Sequence, residues 1–210
     1  VATLTFDEQG SPVNTMCAQW QDDLAAAVEQ VVKDKDRLKG LILASAKSTF
    51  FAGADLKGVM RMTAADAPQV FAGIERVKRC FRTLETLGLP VVACINGSAL
   101  GGGMETALVG HRRIAVDDPK LQLGLPELTL GLIPGATGIT KFTRLLGLMG
   151  AQPYVMESKL FGPREALEIG IVHELVVTAD ELRPRALAWI AEHPQAAHPW
   201  DAKDYKLPGG

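Results

Sequence analysis

Two glutamates in apolar settings and two glycine-bearing turns are the parts of this sequence best suited to chemistry. Glu127 stands in Gly124-Leu125-Pro126-Glu127-Leu128-Thr129-Leu130-Gly131, a carboxylate inside an apolar stretch. Burial there would raise its pKa, which is how a proton donor for neutral solution is made. Glu105 follows three adjacent glycines in Ala99-Leu100-Gly101-Gly102-Gly103-Met104-Glu105. Such a run marks close backbone approach or positive φ, and at a helix start its N–H groups form an anion site. In Phe50-Phe51-Ala52-Gly53-Ala54-Asp55-Leu56-Lys57, a glycine before a small residue again lets the backbone approach a ligand. If a short helix begins there, the Ala54 N–H is an unpaired donor. Two outward N–H groups suit an oxyanion hole for a thioester enolate. Two carboxylates across the same cleft suit the movement of a proton and a water over a double bond. Taken singly, each segment also has a plain reading: a turn capped by Asp55, a first-turn helix charge at Glu105, a solvated loop residue at Glu127.

The elements that must position these residues can be read from periodicity. Residues 1–6 alternate like a strand, and Gly10-Ser11-Pro12 turns the chain. From 20 to 32, Trp20, Leu24, Ala27, Val28, Val31 and Val32 recur at helical spacing. Residues 41–44 and 91–95 are continuous apolar runs of the kind buried in a sheet covered on both faces. One candidate turn follows directly after each run. A long amphipathic helix is predicted over 66–87, stopped by Gly88-Leu89-Pro90, with shorter helices over 104–109, 137–146, 163–169 and 179–192. Strands are predicted at 113–116 and 171–176. Strands alternating with helices argue for an α/β fold of β-β-α units. The glutamates stand 22 positions apart, so only that fold can bring them together.

Composition bounds the rest. The 210 residues, 47% hydrophobic and 22% charged, suit one α/β domain with its own core. A net charge of −2 provides no basic field for nucleic acid or an anionic membrane, and no apolar run reaches the ~18 residues of a membrane span. Cys17, Cys80 and Cys94 form no C-x-x-C pair, a usage that suits a reducing, cytoplasmic setting, with Cys80 and Cys94 read as buried inert thiols. The chain opens abruptly on a strand without an initiator Met, and its last residues, Lys206-Leu207-Pro208-Gly209-Gly210, resemble a linker. It reads as a fragment of a longer polypeptide, with residues 1–192 as the domain and 193–210 as a tail.

Four motifs in order, Phe51-Ala-Gly-Ala-Asp-Leu, Asn96-Gly-Ser-Ala-Leu-Gly-Gly-Gly-Met-Glu, Leu123-Gly-Leu-Pro-Glu and Leu130-Gly-Leu-Ile-Pro-Gly135, closely resemble the crotonase (enoyl-CoA hydratase/isomerase) superfamily. The resemblance runs from the first residue to about residue 190. It implies the crotonase fold, an acyl-CoA thioester as substrate and no permanently bound cofactor or metal. By position it makes Ala54 and Gly102 the oxyanion-hole donors and Glu105 and Glu127 the acid/base pair. Glu127 would exchange a proton at the α-carbon, while Glu105 activates the water attacking the β-carbon. Gly135 would help hold that water, and Ala52, Asp55, Leu56 and Lys57 would line the coenzyme A path. Hydration of a trans-2-enoyl-CoA in β-oxidation is the implied reaction, with Δ3-Δ2 isomerisation as the alternative. One departure lies at Gly135-Ala136-Thr137-Gly138, where relatives often carry Gly-Ala-Gly-Gly; Thr137 there would tighten the acyl tunnel. The tail resembles the segment before the 3-hydroxyacyl-CoA dehydrogenase region of multifunctional fatty-acid oxidation proteins, which implies a dehydrogenase domain or thiolase partner. Relatives also form trimers or dimers of trimers.

Two other classes compete with this reading. Ser98 near a glycine turn suggests a serine hydrolase, but Asn96-Gly97-Ser98-Ala99-Leu100 is not G-x-S-x-G. A non-catalytic acyl-CoA-binding domain is the third possibility. Nucleotide-phosphate loops fit poorly, because Thr106 stands where G-x-G-x-x-G needs its last glycine. His111-Arg112-Arg113 reads as a solvated turn, the charges of residues 33–39 as a solvated helix end, and His173, His193 and His198 show no metal-ligand spacing.

Overall fold

The computed structural model describes residues 1–209. Its centre is a five-stranded, wholly parallel sheet. The strands are β1 (Ala2–Phe6), β2 (Leu41–Ser45), β3 (Val91–Ile95), β5 (Arg112–Val116) and β7 (Glu174–Val176), in spatial order β1-β2-β3-β5-β7. Parallel neighbours need crossovers, and helices supply them: α1 (Ala18–Asp34) lies between β1 and β2, and α3 (Ala67–Glu85) between β2 and β3. Because both faces are covered, the central strands carry no polar alternation. All five residues of β3 are buried. On one face Leu41, Leu43, Val91, Ala93 and Ile95 meet the α1 and α3 residues Leu24, Val28, Phe81 and Leu84. On the other face Ile42, Val92, Cys94 and Ile114 meet Leu182, Ala186 and Ile190 of α7 (Leu182–Glu192).

A second, smaller layer stands at the carboxyl ends of the central strands. There β4 (Ala99–Leu100) pairs in parallel with β6 (Leu123–Gly124), and Phe51 bridges to Ala99 on the opposite side of β4. Each of the three chain passes leaves a central strand, adds one short extended piece to this layer and then enters a helix or turn. These exits are α2 (Leu56–Val59), α4 (Gly102–Ala107) and the 3-10 turn Pro126–Leu130 that precedes α5 (Gly138–Val155). This is the β-β-α arrangement expected from the alternation of elements.

The structure revises several expectations. The helix predicted over 137–146 continues to Val155 after a break at Gly147, whose φ is +76°. The strand predicted over 171–176 shortens to Glu174–Val176, with α6 (Pro163–Glu168) before it and a 3-10 turn (Ala179–Glu181) between it and α7. Arg113 is not in a solvated turn. It sits in β5 at 1% exposure, with its guanidinium donating to the carbonyls of Ile171 and Gly110, and desolvation lowers its pKa to about 9. Such a cation is tolerable because backbone oxygens replace its water. Cys80 and Cys94 are buried, as expected, and burial pushes the Cys94 thiol up to about 12. Residues beyond α7 fold back on the body: His198 is buried, and Asp201 pairs with Arg82 of α3.

Candidate active site

Both candidate turns lie in the second layer, side by side. The turn after β2 is held by Phe50 and Phe51 N–H groups donating to Ser98 O, each at 3.1 Å, while Leu100 N–H returns a bond to Phe51 O at 3.1 Å. Gly53 has a φ of +99°, and a Cβ there would lie 2.8 Å from Leu100 O and 3.6 Å from Gly102 N. Only glycine therefore lets the two turns approach this closely. That approach puts the amides of Ala54 and Gly102 in one small region. Among the described residues neither N–H has a hydrogen-bond acceptor.

The three adjacent glycines each answer a different steric demand. Gly101 has a φ of +53°, and a Cβ there would fall 2.7 Å from Glu127 Oε1. A Cβ on Gly102 would fall 2.5 Å from Met16 Sδ, and one on Gly103 only 2.2 Å from Phe51 O. The last contact is with rigid backbone. Gly103→Ala should therefore cost about 3 kcal/mol of stability through overpacking, read as a lower urea midpoint; an unchanged midpoint would show that the turn yields.

Gly101 also links the two glutamates. Its carbonyl accepts the Glu105 N–H at 3.0 Å, so Glu105 sits one helical turn beyond it, while the Glu127 carboxylate lies over its α-carbon. Glu105 is 2% exposed. Its Oε1 accepts three N–H groups at the start of α5: Ala136 at 3.0 Å, Thr137 at 2.7 Å and Gly138 at 2.7 Å. The other oxygen, Oε2, has no partner among the described residues. Gly138 is required for this capture, since a Cβ there would lie 3.1 Å from Glu105 Cγ and 2.9 Å from Leu125 Cδ1. Burial raises the Glu105 pKa, and the three N–H groups and the nearby Lys141 charge oppose that rise. Glu127 differs. Its Oε2 is buried and has no partner among the described residues, and desolvation, aided by the Glu105 charge, raises its pKa to about 7. Burial raises the pKa of both carboxyls; at Glu105 three donors oppose the rise, while at Glu127 one buried oxygen meets no donor among the described residues.

The remaining predicted residues fall around this centre. Ala52 and Ala54 are exposed, as are Leu56 and Lys57 at the start of α2, and Asp55 is half-buried. Gly135 is exposed next to the N–H groups that bind Glu105, with Ile74 of α3 facing it. Thr137 lines a cavity of about 250 Å³ together with Lys78, Arg82, Lys141 and Arg144. The residues that sequence reasoning missed are the donors Ala136 to Gly138 and the contact of Met16 with Gly102. The glycine at 138 was the available signal for the first; nothing in the sequence pointed to the second.

Residues 1–199 match the family described as enoyl-CoA hydratase/isomerase. The chain belongs to that family. A curated relative, the fatty acid oxidation complex subunit alpha of Shewanella oneidensis, is 37% identical over 178 residues, covering 84% of this chain and 25% of the relative. The chain thus spans about a quarter of that relative's length. An enoyl-CoA hydratase from Bacillus anthracis superimposes with a TM-score of 0.80 at 30% identity, over 90% of this chain and 71% of the other. DspI of Pseudomonas aeruginosa gives 0.79 at 29% identity, over 90% and 75%. The enoyl-CoA hydratase/isomerase family therefore supplies the fold, which is the crotonase fold expected from the motifs. Within the described residues no helix is long and apolar enough to cross a membrane.

Proposed function

We propose that this chain is an enoyl-CoA hydratase domain that adds water to a trans-2-enoyl-CoA, giving a 3-hydroxyacyl-CoA in fatty-acid β-oxidation. The observation that carries the reading is the pairing of unlike carboxylates next to two unpartnered amides. The thioester oxygen accepts hydrogen bonds from Ala54 and Gly102, which stabilise the negative charge that develops there as water adds. Glu105, its anion favoured by three N–H donors, takes a proton from water through Oε2 while the water oxygen bonds to the β-carbon. Glu127, protonated in a good fraction of molecules below its pKa of about 7, delivers its proton to the α-carbon. The π electrons pass through the enolate and return in the new α-carbon–hydrogen bond. Exchange with solvent then resets both carboxyls. Gly135 helps hold the attacking water, and Ala52, Asp55, Leu56 and Lys57 border the coenzyme A path. Coenzyme A enters as part of the substrate, and the chemistry needs no metal or resident cofactor.

Similarity to a fatty acid oxidation complex subunit supports a setting in which a 3-hydroxyacyl-CoA dehydrogenase consumes the product. The test is an assay of purified protein with trans-2-enoyl-CoA and 3-enoyl-CoA substrates of graded length, with product stereochemistry read by chiral chromatography. Stereospecific hydration of the 2-enoyl series is expected. Shuttling of the 3-enoyl double bond without net hydration would replace the reading with isomerase. Binding without turnover of either series would replace it with a non-catalytic acyl-CoA domain.

A further inference from the structure

The segment between β1 and α1 takes no part in the chemistry above, yet it bonds the peptide that carries the Ala54 amide and packs beside Gly102. Asn14 anchors it at 1% exposure. The Asn14 Nδ2 donates to Phe6 O at 3.2 Å, Ser45 Oγ at 2.9 Å and Phe50 O at 3.2 Å, and its Oδ1 accepts the Glu8 N–H at 3.0 Å. These bonds tie the ends of β1 and β2 to the turn that carries Ala54. The backbone then pairs with that turn directly. Ala52 N–H donates to Asn14 O at 2.9 Å, and Met16 N–H donates to Gly53 O at 2.8 Å.

The second of these bonds matters most. Gly53 C=O and Ala54 N–H belong to one planar peptide unit. A donor that fixes the oxygen end of the unit also fixes the direction of the N–H at the other end. It further polarises that N–H, because linked hydrogen bonds strengthen one another. The Met16 side chain meanwhile packs against the α-carbon of the other donor residue: a Cβ on Gly102 would lie 2.5 Å from Met16 Sδ and 2.8 Å from its Cε. One residue thus bears on both donors, by its main chain on one and by its thioether on the other.

We infer that Met16 is a positioning residue of the oxyanion hole, its N–H orienting the Gly53–Ala54 peptide and its thioether fixing the Gly102 backbone so that both amides converge on one thioester oxygen. The inference rests on the reading of Ala54 and Gly102 as the donors. Two changes separate the two roles. Met16→Ala removes the thioether and keeps the N–H; replacing methionine 16 by its α-hydroxy analogue puts an ester oxygen in place of the N–H and keeps the side chain. Each is expected to lower hydration kcat about 10- to 100-fold, the scale of a displaced reacting geometry, with KM changed less than about 3-fold. Met16→Leu, of similar volume, should return most of the loss.

The readout that a merely structural role would not move is the carbonyl stretch of bound butyryl-CoA, labelled with ¹³C at the thioester carbon and seen by infrared difference spectroscopy. It should lie below its free-solution frequency in the parent and move back toward it in both Met16 changes. If Met16→Ala does not fold, Met16→Val gives the same comparison. A parental stretch and parental kcat in both changes, with the shift lost in Gly102→Pro, would overturn the role of Met16 and leave the oxyanion hole standing. A shift that survives Gly102→Pro would overturn the donor assignment itself, and the inference with it.

Discussion

Glu127→Gln loses about 10²- to 10⁴-fold in hydration turnover, the usual share of a general acid or base, yet becomes the more stable protein in alkaline solution. Both halves follow from the same burial. Glu127 reaches a pKa of about 7 from a usual 4.5 because desolvation and the Glu105 charge disfavour its anion, and among the described residues its Oε2 has no partner to offset that. The folded pKa is raised, so the folded state binds this proton more tightly than the unfolded chain does. The stability it contributes is complete below pH 4.5 and is lost as pH rises through about 7. Glutamine carries no charge and escapes that loss. With allowance for the partial solvent screening of a half-buried carboxyl, the variant should gain about 1–2 kcal/mol over the parent at pH 9 and nothing at pH 4. Thermal melts across that range measure the gain. The parent's kcat/KM for hydration should also fall as pH rises above about 7, a limb the variant lacks. Near-parental turnover in Glu127→Gln would remove it from the mechanism. Equal stability of the two proteins at pH 9 would remove the argument from desolvation.

Gly102→Pro should reduce kcat by about 10²- to 10³-fold, the range for removal of one oxyanion-hole donor, with little change in fold. Gly102 is the first residue of α4 and its N–H has no acceptor among the described residues. Proline is well tolerated at a first helical position because it gives up only a hydrogen that the helix does not use. Its ring does bring a Cβ into the space held by Met16, 2.5 Å from Sδ, so Gly102→Ala is the needed control. Alanine adds the same carbon and keeps the N–H. The difference in kcat between the two variants isolates the hydrogen bond from the displacement of Met16, and acyl-CoA affinity should differ far less. Equal activity of the Ala and Pro variants would show that this amide does not serve the transition state.

Much of this molecule was determined by local sequence. The apolar runs at 41–44 and 91–95 could satisfy their side chains only in a sheet covered on both faces, and they became β2 and β3. The triple glycine and Gly53 announced tight backbone without showing what pressed on each one, because that depends on atoms from elsewhere in the chain. The periodic helices were legible for the same reason as the strands: a repeating side-chain pattern is a property of neighbours in sequence. Where a break depended on tertiary contact it was not legible. The chain passes Gly147 in a positive-φ conformation and resumes its helix, with Pro208 of the returning tail against the break.

The buried polar residues show the limit most clearly. Arg113 looked like a surface cation because the sequence does not show which carbonyls face it; one acceptor, Gly110, lies three positions back, and the other, Ile171, is brought from 58 positions away by the fold. Glu105 and Glu127 were identifiable as candidates from their apolar neighbours, but the unlike surroundings of their two carboxyls were not. Three amides from the start of α5 fall on one carboxylate and none on the free oxygen of the other. Which side chain receives those donors is a matter of through-space distance, and a one-dimensional pattern holds no record of it. Sequence alone decided which carboxyls were available; the packing of the second layer decided which of them receives three amide donors and which keeps a buried oxygen without one among the described residues.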